Sequence, residues 1–477
     1  MADHIDSLAL LSLKCAPNVF DLSTGLTHVS VRDQIVRAEL LIRDLAASGL
    51  PFRKILVIGA GVAGVAAGLE AARLGKSVTI LETNPDPFEL QYKASKRYIG
   101  PFMYEWPSIF HGMQDFPPRH WPCSTSPSSM PPRSLEWRSP SPISGRQFAS
   151  RMRIWLKKKL LKWPGKLAAP LILTDVQPLQ AEAWVNHFVR KKSVTKDIHG
   201  TDWTFSKAKS ISWMMPDFII LAAGMGPEKL TADKLIGQSF WSDDQLCVKS
   251  TSNKRIAVLG GGDGALQDVL RALTGKNHPL HAIEQLNGCP AVATLLEQEH
   301  PYLLTLENQS RSQATWTTDN GILRHIDEQC ASLASKLSNH SKICLAVASL
   351  IRSGKGKVEI FVMETHFGKA YLLNRFLVHL ILACQRVTPS FFAGKMCLCV
   401  HWGAEVKSAS STGPKQATII ACYKDGSKTT HDFDHWIIRF GIDTPKASGY
   451  QMIGISDKNR ATRTILSQVP LPYYLNR

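Results

Sequence analysis

Two glycine-rich stretches about 200 residues apart are the residues best placed to do chemistry: Gly59-Ala60-Gly61-Val62-Ala63-Gly64 and Gly260-Gly261-Gly262-Asp263-Gly264-Ala265. Each follows a short apolar run and opens a helix-like stretch. Such a corner holds a pyrophosphate on bare backbone amides, helped by the partial positive charge of a helix N-terminus. In the first stretch Gly59 suits the tight turn, Gly61 admits the phosphate to the backbone, and Gly64 lets helix and strand pack closely. Glu82 follows Gly59 by 23 residues, with Thr83 next to it, and its carboxylate is placed to accept hydrogen bonds from a ribose diol. The second stretch has the pattern GxGxxA on Gly260, Gly262 and Ala265, with Asp263 and Gly264 inside it. Its candidate acid is Glu284, 24 residues after Gly260, which favours a free 2′-hydroxyl. Two such corners in one chain point to two dinucleotides handled together.

Other reactive groupings are weaker. Tyr104, Trp106 and His111 lie in an irregular stretch, 84–150, that leaves the first sheet near the pyrophosphate end, so they are the candidate substrate-facing residues. Cys397, Cys399 and His401 alternate and face one side of a strand. Three residues still need a fourth ligand from elsewhere, and cysteine is commonly buried, so no metal is assigned. No Gly-x-Ser-x-Gly elbow, His-Glu-x-x-His or Walker-type lysine loop is present, which removes the hydrolase and P-loop readings.

The elements that must position these corners are legible as apolar runs. Lys54–Ile58 and Ser77–Glu82 suit strands buried on both faces of a parallel sheet, with an Ala-rich helix from Val65 to Leu74 between them. Pro170–Thr174 is a third strand. Asp217–Gly224 is a further one, ending in Ala223 and Gly224, small residues that let the chain pass close beneath a ligand. Short alternating runs between 183 and 215, Trp203–Phe205 among them, imply a small β-meander. Ser30 and Asp33 form a capping box for a helix that ends before Gly49, whereas residues 1–29 have no clear period. Arg255–Leu259 opens the second unit, and its next strand is placed at His281–Glu284. A largely helical insert runs from about 290 to 385, with a strand at Lys357–Val362 and a helix at Tyr371–Leu382. From Lys395 the pattern is β, with Asp425-Gly426 as a hairpin turn.

The expected organisation is therefore a helical lead-in (1–50), a first dinucleotide unit (51–250, completed by 442–477) and a second (251–441) carrying the insert. Sixteen histidines aside, 56 basic against 39 acidic residues give a net charge of +17. The densest basic patch, Arg151–Trp163, places Met152, Trp155, Leu156 and Lys159 on one helical side, which suits a core-facing helix with a solvated basic back. Nucleic-acid binding is the minor alternative there, with no zinc-finger or RNA-recognition signature behind it. There is no long apolar run, no basic leader followed by an apolar core, and no even cysteine framework, so a cytoplasmic protein with reduced thiols is expected.

The order of these pieces resembles flavoproteins with two dinucleotide-binding domains, the pyridine-nucleotide oxidoreductase group that includes thioredoxin reductases and N-hydroxylating monooxygenases. The Gly59 corner with Glu82, the Asp217–Gly224 strand, the Lys254–Ala265 segment and Asp434–Gly441 carry that resemblance over about half of the chain. It implies an α/β fold of two Rossmann-like domains with parallel sheets, FAD at the first corner and NAD(P)H at the second. The implied function is an oxidoreductase passing hydride from nicotinamide to flavin and on to oxygen or a small substrate. The absence of any Cys-x-x-Cys removes dithiol exchange. The group's late Gly-Asp motif has only Gly454-Ile455-Ser456-Asp457 as a counterpart, so a non-catalytic FAD/NAD-binding sensor is the alternative. The second corner alone also resembles the nucleotide loop of aminopropyltransferases.

Overall fold

The computed structural model describes residues 13–22 and 30–442, apart from 104–105, 109–110, 112–114, 117–133, 140, 165–166, 190–195, 206, 214, 225, 313–320, 369 and 414–415. Tyr104, Gly454–Asp457 and nearly all of 442–477 fall outside the described residues.

Apolar residues from Ile55 to Ile58 bury the strand Lys54–Ile58 in the middle of a sheet. It pairs in parallel with Phe218–Leu221 on one side and Ser77–Leu81 on the other, and Leu171–Thr174 continues the parallel order. Two antiparallel hairpins close the edges of this eight-stranded sheet: Lys14–Ala16 with Val19–Asp21, and Lys196–Asp202 with Lys207–Trp213. The first hairpin corrects a purely helical lead-in. Val19–Asp21 runs parallel beside Phe218–Leu221, an edge pairing that three-residue strands do not announce as a periodic pattern. Trp203–Phe205 is the turn of the second hairpin, and the residues before that hairpin form the helix Pro178–Val189 rather than a meander.

Helices cover the sheet as their apolar stripes require. Val31–Ala47 carries the expected capping box, Ser30 Oγ accepting from Asp33 N at 3.1 Å and Asp33 accepting from Ser30 N at 2.9 Å. The basic helix Gly145–Leu161 buries Phe148, Ala149, Met152, Leu156 and Leu160 and leaves most of its cations in solvent.

The second unit is a four-stranded, wholly parallel sheet in the order Cys397–Trp402, Lys357–Val362, Arg255–Leu259, His435–Ile438. A true meander, Glu405–Gly413, Gln416–Cys422 and Lys428–Phe433, lies on it, turning at Gly426 with φ +84°. Among the described residues, four helices follow the corner helix Asp263–Thr274 before the next strand: Leu280–Asn287, Pro290–Ser312, Gly321–Ser338 and Ser341–Leu350. His281–Glu284 is thus helical, and the neighbouring strand is Lys357–Val362. The fold is α/β, two parallel-sheet units with small antiparallel sheets and a largely helical insertion. Among the described residues no helix is long and apolar enough to cross a membrane.

Candidate functional site

The two corners are built to one plan, residue by residue. Gly59 N donates to Leu81 O (2.7 Å) as Gly260 N does to Phe361 O (3.0 Å). Ala222 N donates to Ile58 O (2.7 Å) as Arg439 N does to Leu259 O (2.8 Å). Phe88 N closes over the first corner onto Ala60 O (3.1 Å), and Gly368 N closes over the second onto Gly261 O (2.9 Å). Before each closing strand an aspartate ties its own strand to the start of the corner strand. Asp217 accepts from Arg53 N and Lys54 N (2.6 and 2.8 Å), and Asp434 from Arg255 N (2.8 Å).

Backbone conformation follows the same plan. Gly59 and Gly260 adopt φ +104° and +126°, where an L side chain is strained, and a Cβ at either would run into the carbonyl oxygen of Ala222 or Arg439. Gly64 has no room either, because its Cβ would strike Gly59 O. A Cβ on Gly61, by contrast, would meet nothing within 4 Å. Gly61 is the N-cap of helix Val62–Arg73, whose first intrahelical bond is Val65 N to Gly61 O, so the amides of Val62, Ala63 and Gly64 precede the ladder. Open space above a helix N-terminus on bare backbone is a cradle for a pyrophosphate. Ala223 is half-buried and Gly224 exposed at φ +92°, with open space over it, on the rim of the same corner.

Glu82 is buried at the end of Ser77–Leu81. Its Oε2 accepts from Ala60 N at 2.7 Å, and its Oε1 accepts from Asn84 N and Nδ2 (2.9 and 2.6 Å) and from Thr83 Oγ1 (3.4 Å). The carboxylate is held against the glycine corner, its Oε1 receiving three donors and its Oε2 one.

The second corner departs from the first. Helix Asp263–Thr274 starts at the N-cap Gly262, and Ala265 replaces the third glycine. Gly264 packs under Phe240 and Arg439 at 3.4 and 3.5 Å from its missing Cβ. Asp263 turns away from the corner, accepting from Tyr371 N (2.9 Å) and Asn374 Nδ2 (2.8 Å). Burial pushes its carboxyl up to about 6 despite those two donors. By the Leu81–Phe361 equivalence, Val362 occupies the place of Glu82. Glu284 sits exposed on Leu280–Asn287, so it does not stand at a strand end.

Beside this corner lies an ion web that no sequence motif announces. Asp268, fully buried on the corner helix, receives Arg97 (2.5 Å), Arg271 (2.8 Å) and Arg439 (2.9 Å). Arg271 and Arg97 also reach Asp244 (2.7 and 3.2 Å). Burial alone would raise the Asp268 carboxyl. Arg97, Arg439 and Arg271 outweigh it and hold the group far below the usual carboxylate range. Arg97 belongs to the irregular stretch of the first unit, so this web joins the two units. The same stretch sends Met103 and Trp106 into the second unit's core, where Trp106 stacks on Phe376 (5.3 Å, 28°) and meets His300 edge-on. Trp106, 1% exposed, is therefore a packing residue, which corrects its assignment to a substrate. His111 is half-buried, its amide bonded to Ser108 O.

A family model, the alanine dehydrogenase/PNT C-terminal domain, matches residues 35–101, which carry the first corner and Glu82. No curated protein sequence matches the chain. Among solved structures the chain is similar to thioredoxin reductase from Lactococcus lactis (FR conformation), at 13% identity over 85% of this chain and 83% of that one, with a TM-score of 0.36. It is similar to bacillithiol disulfide reductase from Bacillus cereus at 9% identity, 84% and 81% coverage and a TM-score of 0.37. A third similar structure is the desferrioxamine-pathway cadaverine monooxygenase of Erwinia amylovora, bound to FAD (10% identity, 85% and 83% coverage, TM-score 0.34).

Proposed function

We propose that the chain is an FAD-dependent, NAD(P)H-linked oxidoreductase, FAD lying at the Gly59 corner and the nicotinamide dinucleotide at the Gly260 corner. The observation that carries this reading is the duplication of one phosphate corner, closing strand and closing amide in two units joined through Asp268. The family-model match over 35–101 supports it, since it falls on the strand, corner, helix and strand of the first site. Bound together, the two cofactors supply hydride transfer, and the protein supplies binding, orientation and exclusion of water.

Each residue then has a defined task. The amides of Val62, Ala63 and Gly64 meet phosphate oxygens, and Gly61 leaves them reachable. Glu82 orients the ribose while bracing the corner through Ala60. Gly224 keeps the rim free of a side chain. At the second corner Arg439 brings positive charge to the start of helix Asp263–Thr274, within an ion web of three arginines and two aspartates (Arg97, Arg271 and Arg439; Asp244 and Asp268) that carries a net +1. The electron acceptor is oxygen or a small substrate, approached from the side of the irregular stretch that holds His111.

A second reading, a sensor that binds FAD or NAD without turnover, is favoured by Val362, because the second corner lacks a strand-terminal carboxylate. The absorption spectrum and extracted cofactor of the purified chain separate the two. A yellow protein bleached by NADH or NADPH supports the enzyme. A yellow protein inert to both, or a colourless one that binds NAD, supports the sensor, and a colourless chain that binds neither added FAD nor added NAD overturns both.

A further inference from the structure

On the face of the second sheet that the meander covers, four metal-ligating side chains converge. Glu359 and Cys399 are register partners on the neighbouring strands Lys357–Val362 and Cys397–Trp402, and His401 lies two residues on from Cys399, on the same face. Ligand atoms of Glu359, Cys399 and His401 all lie within 4.8 Å of one another. The meander strand Lys428–Phe433 adds His431, whose Nδ1 is 3.4 Å from Glu359 Oε2, the oxygen that His401 Nε2 meets at 2.9 Å.

The far side of each imidazole is already held. Tyr423 Oη bonds His401 Nδ1 at 3.0 Å, Thr429 Oγ1 bonds His431 Nε2 at 2.8 Å, and the two hydroxyls lie 3.2 Å apart. Phe361 forms the floor, stacked on His401 at 4.5 Å and 9° and edge-on to His431. Two imidazoles fixed by outer hydroxyls, with their inner nitrogens turned to one buried carboxylate oxygen beside a thiol, is how metal-bound histidines are oriented. Without a cation between them, both rings must carry a proton toward Glu359, whose other oxygen already receives Arg255 (2.9 Å) and Lys357 (3.3 Å). A divalent ion placed between them would meet a thiolate, a carboxylate and two neutral imidazoles.

We propose that Glu359, Cys399, His401 and His431 bind one zinc-class divalent ion. Thiolate and imidazole exclude calcium and magnesium, and four protein donors fit the closed tetrahedral coordination of a structural site. Because three ligands stand on the parallel sheet and His431 on the meander, the ion staples one to the other. The assignment is independent of the dinucleotide reading.

The test uses the full chain, purified without chelators, then stripped and titrated with zinc or with cobalt(II) alone. One zinc per chain is expected, with a tetrahedral cobalt spectrum that includes a thiolate charge-transfer band. Cys399→Ser abolishes that band, and His431→Gln lowers affinity, while Cys397→Ser on the exposed neighbouring cysteine retains both. Tyr423→Phe, which removes only an outer hydroxyl, weakens zinc about 10–100-fold. The proposal is overturned if a chain with native circular dichroism binds neither ion, or if the cobalt band survives Cys399→Ser.

Discussion

Val362 stands in the second unit where Glu82 stands in the first. Both follow the strand residue whose carbonyl receives the corner glycine's amide, Leu81 for Gly59 and Phe361 for Gly260. Both precede by six residues the amide that closes over the corner, Phe88 or Gly368. The buried carboxylate at Glu82 is thus a feature of one site only. Glu82→Ala removes an acceptor from Ala60 N and from the ribose, a loss of about 1.5–3 kcal/mol. Flavin affinity measured by fluorescence quenching is expected to fall roughly 10–100-fold in this variant, whereas Glu284→Gln leaves nicotinamide affinity unchanged.

Gly61 and Gly64 separate binding from folding. A leucine at Gly61 enters open space, so the melting temperature of the apoprotein stays near wild type while flavin content drops to near zero. Gly64→Ala drives a methyl into Gly59 O and lowers apoprotein stability by about 1–3 kcal/mol or more. Denaturant titration of both apoproteins checks the contrast; equal stability losses would refute it.

Asp268 makes the opposite kind of prediction. Its replacement by asparagine leaves Arg97, Arg271 and Arg439 short of a buried counter-charge, at a cost of about 3–5 kcal/mol. The wild-type carboxyl is held below its unfolded value, so its contribution is fully present above the ordinary carboxylate range and is lost as pH falls toward the folded value. Urea midpoints of wild type and Asp268→Asn should therefore converge on acidification.

Asp263 behaves with the reverse sign. Its folded carboxyl titrates at about 6 against 3.8 for the free group, so the native state holds the proton more tightly than the unfolded chain. Stability falls as pH rises between those values, by at most about 3 kcal/mol. Asp263→Asn keeps the acceptor for Tyr371 N and removes the charge, and its stability is expected to overtake wild type above pH 6. Parallel urea curves at acidic and neutral pH decide the matter.

The first corner was legible because every part of it is local: strand, glycines, helix, strand and Glu82 fall within 29 consecutive residues from Lys54. The second was legible only as far as Ala265 and its helix. Four helices separate it from Lys357–Val362, so the usual spacing to an acid pointed to His281–Glu284, an amphipathic helix with Glu284 on its exposed face. Trp106 was misread because an aromatic in an irregular stretch gives no hint of which unit's core it enters. Arg97 and Arg439 each lie 171 residues from Asp268, and pairing of that range leaves no local pattern. One signal was available. Asp217 and Asp434 each precede a short strand followed three residues on by a glycine, Gly224 or Gly441, and that alignment sets Arg439 beside the second corner.

The bond from Arg97 to Asp268 has a consequence for how the chain can be divided. The guanidinium comes from one half and its carboxylate from the other, both shut away from solvent. Severing the polypeptide near residue 250 and purifying the fragments separately would break the Arg97–Asp268 and Arg271–Asp244 pairs and bare the apolar surface where Trp106 had rested. Swivelling of the halves meets the same obstacle, since it too would part Arg97 from Asp268 and draw Trp106 out of the second core.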